Sequence, residues 1–467
     1  MWAERAAARY PPASTSTAVD IPDPVSQQPP VSDADPNHII PRTPPSSAAL
    51  LDELAQLLPA ATAAGQDLDP ALVRLLCPPL IPQPAAQYTA FTASQTSLRY
   101  FQHYLTVIMP YQWLFERRAL ADLVAPLAYA DEAVFESLVA LGALHVGSRR
   151  ALVGGAVDTD TAQQSLQRSI ASMAALPPER LGRHETIVAA MSISSFYLFA
   201  GGNRSGWPNA VRTCRACLSA VQHLDPGELG HLLSPLAWTD ILASVTEGRA
   251  SAFISLYRRL LAGDTATDDR YLRETVMGCD STTRLAIAET VALSEWKDQQ
   301  SAAGCLSVRE LLHRSSAIER LLSEREAREH FDDPARRLVA DVFYHGSRVL
   351  LATVVDGCYP YTAELASAVA DVLLSLSALD AAGVAADRAL VFPITISGCH
   401  AQEPQRAAFA ARFHRNRLGP DADFGNTRNA LRLMHAVWAR RDAAPPGEEV
   451  HWRRIMHELD PAGLFLI

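Results

Sequence analysis

The stretch YTAELASAVADVLLSLSALD, residues 361–380, decides the fold class. Its large apolar residues follow one another in steps of 4, 3, 4 and 3, which places them on one stripe of an α-helix. These residues are Leu365, Val369, Val372, Leu376 and Leu379. The pattern predicts an amphipathic helix whose apolar stripe packs against other helices.

A similar pattern occurs near the C-terminal end, in NTRNALRLMHAVWARR, residues 426–441. Three apolar residues share one predicted face: Leu431, Met434 and Trp438. Three arginines, Arg428, Arg440 and Arg441, are predicted to remain in solvent, and those at the end suit the negative C-terminal dipole.

Other stretches are apolar on most sides and are therefore predicted to be central helices. AVFESLVALGALHVG, residues 133–147, contains Gly142, which permits a close helix approach, and ETIVAAMSISSFYLFA, residues 185–200, has the same character. One stretch, VFPITIS at residues 391–397, is ambiguous between strand and helix. No other segment alternates convincingly, so the sequence predicts an all-α fold.

Composition agrees with this fold class and defines the domains. Glycine supplies 23 of 467 residues, below the typical ~7%, which disfavours a protein of many short strands. Residues 1–47 are rich in Pro and Ser and have too few large apolar residues to offset the entropy of ordering. We predict a disordered N-terminal segment at 1–47 and one large multi-helix domain at 48–467.

Charge and cysteine content limit the function classes. The net charge of −10 disfavours a general phosphate-binding surface. The seven cysteines are an odd number without a framework spacing, which favours reduced thiols inside a cell. No signal peptide and no run of ~18 apolar residues is visible. The sequence predicts a soluble intracellular protein.

Two cysteine patterns were candidates for metal or redox chemistry. Cys214 and Cys217 form a CxxC, but they lie in a helical pattern without a second pair at zinc-site spacing, so a buried structural pair is favoured. Cys399 and His400 are adjacent, with Glu403 nearby. Adjacency alone does not bring a thiolate and an imidazole into catalytic contact, so coincidence is favoured.

Other motifs for chemistry are equally weak. The glycine-rich stretch from Gly201 to Gly206 lacks lysine and follows a helical run, which favours a connecting loop over a phosphate cradle. Glu185, after His184, suits the first turn of a helix better than a general base. We therefore predict no enzyme activity, no catalytic residue, no metal site and no cofactor.

Clusters of basic residues are interpreted as solvated helix faces, since acidic residues lie near each cluster and no aromatic run accompanies them. The clusters are Arg412 with His414, Arg415 and Arg417, then Arg440 with Arg441, and Arg453 with Arg454.

Several segments, taken in order, resemble a known family. They are SLRYFQHYLTVIM at 97–109, AVFESLVALGALHVGS at 133–148, a helix beginning near Ala162, and Gly206–Trp207 followed by VRTCRACLSAV. This arrangement resembles the regulatory domain of fungal zinc-cluster transcription factors, in particular the subgroup that includes the acriflavine-sensitivity control proteins.

The C-terminal part carries the resemblance further. FPITISGCHA at 392–401 is similar to that family's WPLFIAGCEA element. Phe424-Gly425-Asn426, the helix with Trp438, and Trp452-Arg453 with Met456 resemble its F-G-N, V-W and W-R-x-x-M signatures. Order and spacing agree over roughly 97–467.

The resemblance implies structural roles for a set of motif residues, as determinants of the core and its turns. These residues are Trp207, Phe392, Gly398, Phe424, Trp438 and Trp452. Family members usually carry six cysteines around two zinc ions before this domain, whereas the first cysteine of this chain is Cys77. Direct DNA contact through such a cluster is therefore not expected from these residues. Either an N-terminal exon that encodes the cluster is missing from this sequence, or the chain is a cluster-less relative that acts through a DNA-binding partner protein.

The function implied is a nuclear regulator of fungal gene expression, of a metabolic or secondary-metabolite pathway. Its helical domain is expected to act on the transcriptional machinery and to receive partner proteins or a small-molecule effector. A non-transcriptional scaffold or small-molecule-binding helical module is the alternative. An unrecognised helical enzyme, dependent on Cys399, His400 or His184, is the third and least favoured hypothesis.

Overall fold

A computed structural model describes residues 90–466, apart from 116, 153–158, 203–205, 225–228, 262–276, 326–328, 330, 332, 418–423 and 446. The described residues form helices and connecting turns, and none of them lies in a strand. The prediction of an all-α domain is therefore confirmed for this part of the chain. The N-terminal segment predicted at 1–47 lies outside the described residues.

The first half of the domain contains helices α1 to α9. They are α1 Gln95–His103, α2 Met109–Gln112, α3 Arg117–Ala130, α4 Glu132–Leu152, α5 Thr159–Ala174, α6 His184–Phe199, α7 Trp207–Val221, α8 Leu233–Glu247 and α9 Ile254–Leu261. A π-helical turn, Tyr104–Ile108, joins α1 to α2. Short 3₁₀ turns occur at Pro178–Arg180 and Gly230–Leu232.

The second half contains α10 to α17. They are α10 Ser281–Ala302, α11 Val308–Ser323, α12 Pro334–Val355, α13 Ala363–Ala381, α14 Val391–Cys399, α15 Glu403–Arg417, α16 Thr427–Ala443 and α17 Trp452–Leu459. Several begin at side-chain caps, since Asp280, Ser307 and Asp333 accept hydrogen bonds from backbone N–H groups of the first turn.

Most helices pack against helices that are close to them in sequence. α4 packs against α1, α5 and α6, and α6 packs against α7. α8 joins α7 to α10, α10 packs against α11 and α12, and α12 packs against α13 and α14. α14 and α16 then bring the C-terminal helices onto the same large hydrophobic core.

Close helix approach depends on glycine at two crossings. A side chain on Gly142 of α4 would overlap the backbone of Tyr100 in α1, as the sequence predicted for this glycine. A Cβ atom on Gly346 of α12 would lie 2.5 Å from the Cβ of Pro393 in α14. Both positions exclude larger residues at the present helix separation.

The ambiguous stretch at 391–397 forms helix α14, in which every residue is buried. Burial on all sides removes the periodicity that distinguishes a helix from a strand in the sequence. Pro393 lies in the first turn, where a missing N–H costs no intrahelical hydrogen bond. The β-branched residues Ile394, Thr395 and Ile396 favour a strand locally, but tertiary burial overrides this preference.

Helix α12 is long and apolar enough, by length and composition, to cross a membrane. However, 61% of its most apolar window is buried inside the fold, as in a core helix. It packs against α10, α13 and α14, so its apolar surface already contacts protein.

Candidate ligand cavity and motif residues

The C-terminal segment, residues 460–466, docks onto the start of α7. The rings of Phe465 and Trp207 stack with centroids 4.9 Å apart and planes 2° from parallel. The indole Nε1 of Trp207 also donates to the carbonyl of Gly463 at 3.3 Å. Thr246 of α8 holds the same segment, because its hydroxyl donates to the carbonyl of Leu464 at 2.8 Å.

The C-terminal segment also contacts the turn between α6 and α7. The backbone N–H of Phe465 donates to the carbonyl of Gly202 at 2.8 Å. Gly202 has a φ of +70°, and a Cβ there would lie 2.8 Å from the Cβ of Asn426. Gly201, Gly202 and Gly206 belong to the stretch that the sequence predicted to be a connecting loop. They lie between α6 and α7 and allow close backbone contact.

The motif Phe424-Gly425-Asn426 completes the same junction. The amide of Asn426 donates to the carbonyl of Phe465 at 2.6 Å, and the backbone N–H of Gly425 donates to the carbonyl of Phe199 at 2.8 Å. Phe424 stacks on Phe199 with ring centroids 4.5 Å apart. Segments separated by more than 200 residues in the sequence therefore meet at one point of the fold.

A second contact of Phe424 leads into α4. Its ring packs edge-on against His145 at 4.5 Å, and His145 shares a hydrogen bond of 2.8 Å with His103 of α1. Both histidines are buried. These contacts connect the junction of the C-terminal segment, α7 and the motif Phe424-Gly425-Asn426 with the crossing of α1 and α4.

A cavity of about 60 Å³ lies beside this junction. It lies against α6, α8, the motif beginning at Phe424 and the ring of Phe465. Most of the lining side chains are aromatic or aliphatic. The lining residues are Gln112, Trp113, Met191, Ser194, Ser195, Leu198, Phe199, Pro235, Trp238, Thr239, Met277, Arg388, Phe424, Gly425, Asn426, Thr427 and Phe465.

Two of the polar groups that line the cavity can donate hydrogen bonds, on Ser195 and Trp238. The hydroxyl of Ser195 accepts from Gln112 Nε2 at 2.9 Å, which leaves its own proton free to donate. Gln112 is held in turn, because its Oε1 accepts from the hydroxyl of Tyr104 at 2.7 Å. The buried indole Nε1 of Trp238 has no hydrogen-bond partner among the described residues. The described lining residues include one charged group, Arg388, and no carboxylate.

A second group of motif residues lies at the crossing of α14 and α16. The indole Nε1 of Trp438 donates to the carbonyl of Gly398 at 2.8 Å. A Cβ on Gly398 would overlap the sulfur of Met434. Leu431, Met434 and Trp438 are buried on one face, as predicted.

The prediction that Arg441 remains in solvent is wrong. This side chain is half-buried, and its guanidinium donates to the carbonyl of Cys399 at 2.6 Å and to that of Ala401 at 3.4 Å. The carbonyls at and just after the C-terminal end of α14 have no partner within that helix, so the half-buried guanidinium of Arg441 supplies a donor to two of them. Arg428 and Arg440 are exposed, as predicted.

Cys399 and His400 are both buried in the core rather than in a cleft. Burial raises the pKa of the Cys399 thiol to about 12, which disfavours the thiolate form. Burial lowers the pKa of His400 to about 3, and its Nδ1 hydrogen-bonds to the carbonyl of Ile396 at 2.8 Å. The carboxylate of Glu403 is exposed on α15. This arrangement does not make an activated nucleophile.

Cys214 and Cys217 are also buried, on α7. Burial raises the pKa of each thiol to about 12, and Cys214 lies 3.3 Å from the hydroxyl of Ser194. The structure therefore agrees with a structural pair. Among the described residues, no group of three or more His, Cys, Asp or Glu side chains could hold a metal ion.

The interpretation of the basic clusters as solvated faces is wrong for Arg412. This side chain is buried and pairs with Asp380 at 2.7 Å and Asp387 at 2.9 Å, which joins α15 to α13. Arg453 is half-buried and donates to the carbonyl of Val245 at 3.1 Å.

The other described members of these clusters behave as predicted. Arg440, Arg454 and His414 are exposed. The side chains of Arg415 and Arg417 lie outside the described part of the structure.

Glu185 lies in the first turn of α6, as predicted, and pairs with Arg180 at 3.0 Å. The aromatic motif residues are all buried, with Trp207, Phe392 and Trp452 at most 1% exposed. The cavity residues Gln112, Trp238 and Arg388 were not predicted. They come from three distant segments without a shared motif, so no spacing in the sequence could identify them.

Comparison with known proteins gives the family. The model of the fungal specific transcription factor domain matches residues 99–466. Transcription factor dibT of Pestalotiopsis microspora is 29% identical over 245 residues, which cover 47% of this chain and 38% of that protein. No solved structure is a significant match.

Two further relatives come from other fungi. The ustiloxin B cluster transcription factor ustR of Aspergillus flavus is 25% identical over 50% of this chain and 41% of its own length. The trichothecene biosynthesis transcription regulator TRI10 of Trichoderma arundinaceum is 26% identical over 51% of this chain and 55% of its own length. The chain thus spans about half or less of the length of these relatives. Since the domain model covers most of the chain and follows the motifs described above, the chain belongs to the fungal specific transcription factor domain family.

Proposed function

We propose that this chain is a nuclear regulator of fungal gene expression and that its targets are genes of a secondary-metabolite pathway. The family match over residues 99–466 carries the proposal. Two relatives support its finer part, because their names assign them to ustiloxin B and trichothecene biosynthesis. Their names describe a transcription factor and a transcription regulator.

The helical domain would act through protein partners, such as the transcriptional machinery or a DNA-binding protein. The net charge of −10 supports this mode of action, since an acidic chain is repelled by the phosphate backbone unless a local basic surface compensates. Arg412, which the sequence placed in a basic cluster, is neutralised by two aspartates and adds nothing to such a surface.

The test is a reporter assay in a fungal host. The full chain is fused to an orthogonal DNA-binding domain, with that domain alone as the control, and the location of the fusion is followed by microscopy. We expect nuclear residence and a reporter level that differs from the control. An unchanged reporter together with exclusion of the native chain from the nucleus would contradict the proposal.

A non-transcriptional ligand-binding or scaffold protein is the second candidate, and the cavity beside Phe465 is the observation that favours it. The same strains distinguish the two candidates. A stable cytoplasmic complex in a pull-down, combined with an unchanged reporter, would support the scaffold.

A further inference from the structure

We propose that the cavity between α6, α8 and the C-terminal segment binds a compact, planar, mainly apolar molecule that carries a carbonyl group. Its volume of about 60 Å³ is larger than the roughly 10–15 Å³ that one water molecule needs. It is well below the roughly 150 Å³ of a cavity that accepts benzene, so there is room for a few waters or for a ligand of about four heavy atoms, such as acetone.

The lining determines the class of ligand. Two indole rings, Trp113 and Trp238, and two phenyl rings, Phe199 and Phe424, offer flat apolar contacts that suit a planar molecule. Ligand pockets typically combine such walls with a few placed polar groups. The absence of any carboxylate among the lining residues disfavours a cationic ligand.

Hydrogen-bonding capacity points to an acceptor on the ligand. Trp238 is 3% exposed, and its indole Nε1 is buried without a partner, although such a donor usually finds one. An indole can donate but not accept. The hydroxyl of Ser195 adds a second donor, since its oxygen is already used by Gln112. A carbonyl oxygen supplies the acceptor that both donors lack.

The position of the cavity connects binding to the C-terminal segment. Phe465 and Phe424 form part of the wall, and both also take part in the junction with Trp207, Gly202 and Phe199. A ligand in the cavity would therefore stabilise the docked segment, because binding stabilises the state that binds. Binding itself does not depend on the proposed function, and only its effect on transcription rests on that function.

The test uses acetone, with isobutene as a planar probe of the same shape that has a methylene group in place of the carbonyl oxygen. The full chain is labelled with ¹⁵N at its seven tryptophans, and the indole N–H signals are followed during titration. Substitution of each tryptophan by phenylalanine assigns the signals. We expect acetone to shift the Trp238 signal downfield and to saturate it.

Because isobutene leaves water more readily than acetone, the ratio of the two dissociation constants is compared between wild type and Trp238→Phe. Trp238→Phe keeps an apolar ring but removes the donor, so it should weaken acetone relative to isobutene by about three- to tenfold, as expected for the loss of one hydrogen bond, with Trp113 then reporting binding. Trp296→Phe, on α10 in a separate hydrophobic cluster, is the matched control and should leave both affinities unchanged.

A second variant keeps the proposal testable if Trp238→Phe does not fold. Ser195→Leu fills the cavity from α6 and should prevent binding of both probes while thermal unfolding still shows a folded protein. The proposal is overturned if acetone causes no saturable shift of Trp238, or if Trp238→Phe leaves the ratio of the acetone and isobutene dissociation constants unchanged. Each of these results can occur whether or not the reporter assay succeeds.

Discussion

Gly398 shows how one missing side chain determines the distance between two helices. It lies in α14, where alanine would ordinarily be favoured over glycine by about 1 kcal/mol. Here an added Cβ would overlap the sulfur of Met434 in α16. The helix pair has no room to separate, because Trp438 also donates to the carbonyl of Gly398.

Gly398→Ala should therefore lower the free energy of unfolding by about 1–3 kcal/mol, the usual cost of overpacking. Urea unfolding measures the change. Met434→Ala alone should cost about 2–5 kcal/mol, but it removes the overlap, so the double variant should lose less than the sum of the single losses. Strictly additive losses would show that the two residues do not compete for the same space.

His400 is a buried base that makes stability depend on pH. Its folded pKa of about 3 lies below the ordinary value of about 6.5. Between these values the unfolded chain binds a proton that the folded chain does not bind. Stability from this residue is thus fully present above about pH 6.5 and is lost as the pH falls toward 3.

His400→Asn keeps a donor for the carbonyl of Ile396 but cannot titrate. Unfolding free energies measured in urea from pH 7 to pH 4.5 should therefore depend less on pH, by up to about 1.4 kcal/mol per pH unit. The half-buried His345 and His451, whose pKa values burial also lowers, remain and keep part of the slope. His313→Asn, at an exposed site on α11, is the control. An equal slope in wild type and His400→Asn would contradict the prediction.

Helix α14 depends on its neighbours for the hydrogen bonds at its C-terminal end. Arg441 of α16 donates to the carbonyls of Cys399 and Ala401. Arg440, the preceding residue, is exposed and pairs with Glu458 across the surface at 2.8 Å. The two arginines are identical in chemistry and differ in burial, so they form a matched pair.

Arg441→Met should cost about 1–3 kcal/mol, because buried carbonyls lose their donors. Arg440→Met should cost about 1 kcal/mol or less, as for most exposed ion pairs. Thermal or urea unfolding of both variants tests the contrast. Equal losses would mean that the contact between Arg441 and α14 adds nothing to stability.

Across the whole molecule, the sequence was sufficient to predict helices with a one-sided apolar stripe. The stripe from Leu365 to Leu379 is buried in α13, and Gly142 lies at a helix crossing. α14 could not be assigned because burial on all sides erases periodicity. The cavity could not be predicted either, since Trp238, Arg388 and Phe465 are brought together only by the tertiary fold.

Trp207 allows a test of whether the motif residues serve the fold alone. It is fully buried, stacks on Phe465 and donates to Gly463, so it holds the C-terminal segment against α7. Trp207→Ala should cost about 3–5 kcal/mol, as for other large-to-small core changes. Trp207→Phe keeps a ring for stacking and loses one hydrogen bond, which should cost about 0.5–1.5 kcal/mol, plus the cost of the smaller ring volume.

If the role of Trp207 is structural, the reporter activity of both variants should fall only as far as their folded fraction in the same strains falls. Tyr361→Ala, at a side chain 76% exposed, should change neither quantity. A Trp207→Phe variant that is fully folded and yet inactive would contradict a purely structural role and would place Trp207 in a contact with a partner or ligand.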